Sequence, residues 1–232
     1  MPVIAIVGAG PGLGRSIARR FGREGFTVAL IARSAANLDR LAADLAASGI
    51  EAAGFAGDVL DRPSLTAALS AAADRFGPVD VLEYSPAAHG APPGLAMTDV
   101  LSVTAENVQP QVEFYVHGAI TAVRAVLGGM LERGRGTLLF TTGASSAITM
   151  PPMGNVGVAG AGLRNYALAL NAALADRGVY AAHVPLAVYL GSGGPETQPD
   201  TVAGLYWDLY LSRDQPERLY SALPPVSGPQ TG

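Results

Sequence analysis

Residues 8–14 read Gly-Ala-Gly-Pro-Gly-Leu-Gly, directly after the β-branched run Val3 to Val7 and directly before a segment of helical period carrying Arg15, Ile17, Ala18 and Phe21. Glycines at such a junction let the chain turn tightly and let a ligand phosphate approach the backbone. The helix that follows offers unpaired N–H groups at the positive end of its dipole. The chemistry is anion holding, and in the first βα unit the anion is the pyrophosphate of a dinucleotide; the other reading is a tight turn and nothing more. The spacing G-x-G-x-x-G fails because position 13 is Leu, whereas G-x-x-x-G-x-G fits at Gly8, Gly12 and Gly14. Gly8, Gly10, Gly12, Leu13, Gly14 and Arg15 form the candidate pyrophosphate side of the site.

The end of the second strand-like run reads Ala32-Arg33-Ser34. NAD sites usually carry an acid there for the ribose 2′-hydroxyl. An arginine fork followed by a hydroxyl suits a 2′-phosphate, with Arg15 as a second charge, so NADP(H) is the expected cofactor. The alternative for Arg33 is a helix-capping or solvated side chain. Asp58, in Gly57-Asp58-Val59, is a candidate for the adenine amino group, or an N-cap for the helix beginning near Pro63. Val59 and Ser85 complete the cofactor set.

The elements that must position these residues follow from periodicity. β-branched runs near 3–7, 27–32, 51–56, 79–84, 136–142 and 179–185 alternate with helical stretches near 12–24, 35–48, 63–76, 104–131 and 155–176, and a last helix lies near 200–212. Gly25, Gly49, Gly77 and Gly178 each stand between a helix and the next strand, where a C-terminal stop belongs. This predicts an α/β fold: a Rossmann-type, doubly wound parallel sheet in three α/β/α layers, forming one domain over 1–223. Within it, 187–223 is read as a substrate lid or wall because of Tyr206, Trp207, Tyr210 and Tyr220, the other reading being ordinary packing of a terminal helix. Residues 224–232 are read as a frayed tail.

Composition narrows the chemistry. The chain has 232 residues, no cysteine and three histidines, His89, His117 and His183, too scattered to ligate a metal. A net charge of −4 without a basic run excludes nucleic acid as the expected partner. The apolar runs are short and broken, so no membrane span is expected, and the opening residues lack signal-peptide character, which points to the cytoplasm. All fifteen basic residues are arginine, so no mechanism that needs a lysine is available.

The G-x-x-x-G-x-G turn, the Asp58-Val59 pair and the helix ending Ala-Val-Leu-Gly-Gly-Met-Leu before Gly-Thr-Leu-Leu-Phe resemble the short-chain dehydrogenase/reductases, from about residue 3 to about 185. The resemblance implies a tyrosine that moves the proton, a lysine four residues later, a serine on the fifth strand and an asparagine in the preceding helix. In register, the serine position falls on Gly143, the tyrosine on Val156, the lysine on Gly160 and the asparagine on Tyr115. Tyr84-Ser85-Pro86-Ala87 replaces the family's Asn-Asn-Ala-Gly, and Leu186-Ala187 its Pro-Gly.

Tyr115, one turn from Gln111, is the first substitute proton donor, or fills space vacated at 143, 156 and 160. Thr142 and Ser145 flank Gly143 and are candidates to bond a substrate carbonyl, or satisfy their own backbone. Asn155 does the same or caps a helix. His117, two residues on from Tyr115, is read as structural, and Tyr189 covers the substrate or shields the core. Three readings remain: an NADP(H) oxidoreductase with an unusual proton source acting on a small carbonyl, enone or imine; an isomerase, dehydratase or cyclase on the same scaffold; or a non-catalytic NADP(H)-binding partner or sensor. The resemblance implies a homodimer or homotetramer assembled through the helices near 104–131 and 155–176. The face Ala159, Gly162, Tyr166 and Ala169 is available for that contact or for the sheet.

Overall fold

All five residues of β1 (Val3–Val7) are buried, and β2 (Thr27–Ala32), β4 (Val81–Tyr84), β5 (Gly136–Gly143) and β6 (Val179–Ala187) are buried almost end to end. Continuous rather than alternating burial is what a parallel sheet covered on both faces demands. The computed structural model describes residues 1–87 and 94–222. It joins these strands with β3 (Ala52–Ala56) and β7 (Tyr220–Ser221) in one seven-stranded sheet of order β3-β2-β1-β4-β5-β6-β7, parallel at every pairing. This is the expected doubly wound Rossmann-type fold. Strand order reverses between β1 and β4, which opens a crevice above the carboxyl ends of those two strands.

One face is covered by α1 (Leu13–Arg23), α2 (Ala35–Ala46) and α7 (Pro199–Ser212), whose apolar residues pack on Ile4, Ile6, Val28, Leu30 and Leu139. The other is covered by α3 (Arg62–Phe76), α5 (Gly118–Arg133) and α6 (Gly154–Leu174), on Val3, Ala5, Val7, Leu138 and Phe140. Successive residues of a strand feed opposite layers, as the pleat requires.

The structure departs from the sequence expectations in four places. The helix expected at 104–131 comprises α4 (Ala105–Val112), a π-helical turn at Glu113–His117 and α5. A π turn adds a residue to the helical ladder and exposes a carbonyl; the Tyr84 hydroxyl donates to that of Phe114 at 2.5 Å, over Gly118, where a Cβ would overlap the same hydroxyl. Run together, 105–133 is one helix long and apolar enough to cross a bilayer, against the expectation that no segment reaches that length. Its face carrying Ala119, Ala122, Val123, Val126 and Met130 is buried on the sheet. The strand β7 was not foreseen, because two residues carry no periodicity.

The fourth departure concerns the aromatics of 187–223. Tyr206 is fully buried, and Trp207 and Tyr210 pack edge-on to Phe21 and Phe26 with ring centroids 5.2 to 5.6 Å apart for the Phe21 pairs. Phe26 immediately precedes β2, so this cluster lies at the amino edge of the sheet, away from the glycine turn. These rings are packing of a terminal helix, not a substrate wall. The Tyr220 hydroxyl donates to the Glu196 carbonyl at 2.6 Å. The expected tail, 224–232, lies outside the described residues.

Candidate cofactor and active site

The glycine turn sits at the crevice. Gly8 has φ +100°, and a Cβ there would come within 2.6 Å of the Ser85 carbonyl and Pro86 backbone, so only glycine allows β1 to pass β4 so closely. Gly12 serves a different purpose. It is the N-cap of α1 with no side-chain cap, the first turn holds no acid, and a Cβ on Gly12 would meet nothing within 4 Å. Open space in front of uncapped helix N–H groups is what an anion needs. A Cβ on Gly14 would stand 3.0 Å from the Ala9 Cα, Leu13 turns into the core, and the Nε of Arg15 is buried without a hydrogen-bond partner among the described residues.

Arg33 is exposed at the end of β2. The Ser34 hydroxyl accepts from the Asn37 N–H at 3.3 Å and caps α2, so its oxygen is engaged locally as well as standing beside Arg33. Asp58 is not the cap of α3: Asp61 is, through Ser64 N–H at 3.1 Å. Asp58 instead takes the Leu60 N–H on Oδ1 at 3.0 Å in a local turn. Val59 is buried in the core, where it packs rather than presenting its side chain to a ligand.

Ser85 lies against the glycine turn, its N–H donating to the Val7 carbonyl at 2.9 Å. Its hydroxyl is 2.8 Å from Oε2 of Glu83, whose other oxygen accepts from Thr141 at 2.9 Å; Thr141 in turn is 2.7 Å from the Tyr206 hydroxyl. Glu83 has no exposed surface, and burial pushes its pKa up to about 8 against the opposing hydrogen bonds of Ser85 and Thr141. Sequence reading missed this group, although an acid inside the run Val81-Leu82-Glu83-Tyr84 was a visible signal.

At the end of β5, Thr142 does not face a ligand as expected. Its hydroxyl lies 2.7 Å from Ser146 Oγ and 2.8 Å from His183 Nε2, while His183 Nδ1 lies 2.9 Å from Glu217, and Glu217 is paired with Arg164. Burial lowers the His183 pKa, with Glu217 pulling the other way, while the Arg164 hydrogen bonds hold Glu217 below the usual carboxylate range. This buried chain ties the segment before β7 to α6 and β5, and it too was not foreseen. Ser145 is different: its Oγ is buried with no partner among the described residues.

Gly143 has nothing within 4 Å of a built Cβ, Val156 is buried, and a Cβ on Gly160 would stand 3.0 Å from that of Ser146. Asn155 is spent on structure: its amide donates to the Ala96 and Asn107 carbonyls and its oxygen accepts from the Thr98 and Val156 N–H groups. Tyr115 lies in the π turn, edge-on to Phe114 at 5.1 Å and packed on the core, with burial raising its pKa. Gln111 is buried beside Ala96. His117 forms a surface cluster with Arg62 and Glu113, in keeping with a structural role, and Tyr189 is 74% exposed, so it does not shield the core. Among the described residues no cluster could hold a metal.

Residues 2–190 match the family described as short chain dehydrogenase. The 2-(S)-hydroxypropyl-CoM dehydrogenase 3 of Xanthobacter autotrophicus is 32% identical over 177 residues, 76% of this chain and 67% of that protein. For several other curated relatives the matched stretch spans about half their length. Among solved structures, a short-chain dehydrogenase from Rhodopseudomonas palustris superposes with a TM-score of 0.78 at 26% identity, covering 94% of this chain and 97% of that one. An actinorhodin polyketide ketoreductase variant solved with NADPH shares the fold at a TM-score of 0.82 and 24% identity, covering 95% of each chain.

Proposed function

The chain belongs to the short-chain dehydrogenase family of oxidoreductases, and from that premise we propose that it binds NADP(H) and acts on a small, mostly apolar carbonyl, enone or imine with a proton source unlike the family's. The observation that carries the cofactor half is the uncapped, acid-free N-terminus of α1 behind an open Gly12. The residues present fit the group: the turn from Gly8 to Gly14 would hold a pyrophosphate, Arg33 and the Nε of Arg15, which has no partner among the described residues, would favour the extra 2′-phosphate, and Asp58 would accept from adenine. A ketoreductase of the same fold was solved with NADPH.

When bound, the nicotinamide supplies or takes up the hydride. The proton is the chain's own problem. Gly143, Val156 and Gly160 stand where the family pattern has serine, tyrosine and lysine, and no lysine exists to take over. Tyr115, its pKa raised by burial, stays protonated at neutral pH and can give a proton but not take one. The unpartnered Ser145 hydroxyl is available to orient a substrate oxygen. Substrates that need little acid assistance suit such a site. We place the protein in the cytoplasm as a homodimer or homotetramer joined through α5 and α6.

A Cβ on Gly160 would stand 3.0 Å from that of Ser146, which leaves little room for a side chain at the family's lysine position and favours a second reading, in which the cofactor is held without turnover, by a non-redox enzyme or a sensor. Titration with NADPH and NADH followed by fluorescence, in the wild type and in Arg33→Ala, tests the cofactor half. The expected result is preference for NADPH and at least about tenfold weaker binding in the variant, the worth of a charged hydrogen bond. No binding of either nucleotide refutes it. NADPH oxidation across a panel of ketones, enones and imines then separates the two readings, since only the first gives turnover.

A further inference from the structure

Glu83 is a carboxyl group in the middle of a seven-stranded sheet, in register with Ile6 on β1 and Leu139 on β5, and among the described residues its hydrogen-bond partners are hydroxyls alone. The available protons can be counted. With Glu83 ionised, Tyr206 donates to Thr141, Thr141 to Oε1 and Ser85 to Oε2, so each of the three hydroxyls has spent its proton inward. With Glu83 neutral, its own proton must go to one of two places. Placed on Oε1 it would reverse the Thr141 to Tyr206 chain, leaving the fully buried Tyr206 hydroxyl to donate to nothing. Placed on Oε2 it donates to Ser85, and the Ser85 proton is released outward.

Outward from Ser85 is the glycine turn, because the Ser85 carbonyl and Pro86 abut Gly8 and the Ser85 N–H is bound to Val7. Resting on the dinucleotide reading above, we propose that Glu83 is a positioning residue: neutral, it turns the Ser85 hydroxyl into a donor to an oxygen of the bound dinucleotide, and ionised, it draws that proton back inward and weakens binding. Burial holds Glu83 neutral at pH 7, with its pKa at about 8. Of the groups that face it, Tyr206 of α7 is the titratable one, and burial keeps Tyr206 neutral too. Thr141 comes from β5, Ser85 from β4, and β1 contributes only Ile6. The Asp200 carboxylate of α7 is turned to Ser16 of α1, 2.5 Å away, and no charged group of either helix acts on Glu83.

The test is the NADPH dissociation constant from pH 7 to pH 9, where the 2′-phosphate is already a dianion, in wild type, Glu83→Gln and Ser85→Ala, with circular dichroism at each pH to confirm folding. If only the neutral form binds, wild-type affinity falls about tenfold by pH 9, following the ionised fraction of a group titrating near 8. Glu83→Gln, whose amide can donate to Ser85 while its oxygen accepts from Thr141, should stay within about twofold over the range. Ser85→Ala should bind at pH 7 as weakly as wild type does at pH 9, and should not change further. Tight wild-type binding that is flat with pH, or a fall that survives in Glu83→Gln, overturns the proposal while leaving the dinucleotide reading intact. Failure of all three proteins to bind at pH 7 overturns that reading and this one with it.

Discussion

Replacing Glu83 with glutamine should stabilise this protein, and the gain should grow with pH. In the unfolded chain a glutamate titrates near 4.5, and in the folded protein Glu83 titrates at about 8. Between those values the unfolded state has released a proton that the folded state must keep, so folding weakens as pH rises through the window. Below 4.5 both states are protonated and the penalty is absent; above 8 it is complete. At about 1.4 kcal/mol per pH unit, the interval from 4.5 to 7 amounts to about 3 kcal/mol. Glutamine never ionises, and it reproduces one donor toward Ser85 and one acceptor toward Thr141. Its second N–H has no partner in place, which costs about 1 kcal/mol. The net expectation is about 2 kcal/mol of stabilisation at pH 7, more at pH 9, and a slight loss at pH 4.5. For a chain of this size that is a rise in Tm of about 4–8 °C at pH 7. Urea and thermal unfolding of both proteins at the three pH values decide it. A difference that does not change with pH would mean that Glu83 titrates alike in both states, and the argument from burial would be wrong.

Gly12→Ala and Gly8→Ala should part company. The first meets open space and should keep the wild-type Tm while losing at least about tenfold in NADPH affinity, because a methyl enters the anion's place; the second, at φ +100° and against Pro86, should unfold or lose several degrees of Tm. Gly160→Lys should destabilise by about 1–3 kcal/mol, since its Cβ presses on Ser146 at 3.0 Å, and adding Ser146→Gly should recover much of that loss in a double-mutant cycle. Glu217→Ala leaves the buried His183 Nδ1 without its acceptor and should cost about 1–3 kcal/mol. The same change removes the influence that holds the His183 pKa up, so the imidazole should titrate lower by NMR; an unchanged value would mean that Glu217 does not act on it.

The elements of this fold were legible because their causes are local. Val3 to Val7, the glycines of 8–14 and the helical period after them predict β1, the turn and α1 from neighbours in the chain, and the structure places all three there. The absence of lysine, and with it of any Tyr-x-x-x-Lys pair, needs no structure at all. What the residues at the site are bonded to was decided only by folding. Glu83 meets Thr141 at a separation of 58 residues, Thr141 meets Tyr206 at 65, and His183 meets Glu217 at 34. Those contacts depend on which strands become neighbours and which face each residue takes, and a pleat that alternates at every residue sends Thr141 toward Tyr206 and Thr142 toward His183. So a sequence that names its strands, helices and phosphate turn leaves open whether a hydroxyl beside the site is free for a ligand or spent on the core.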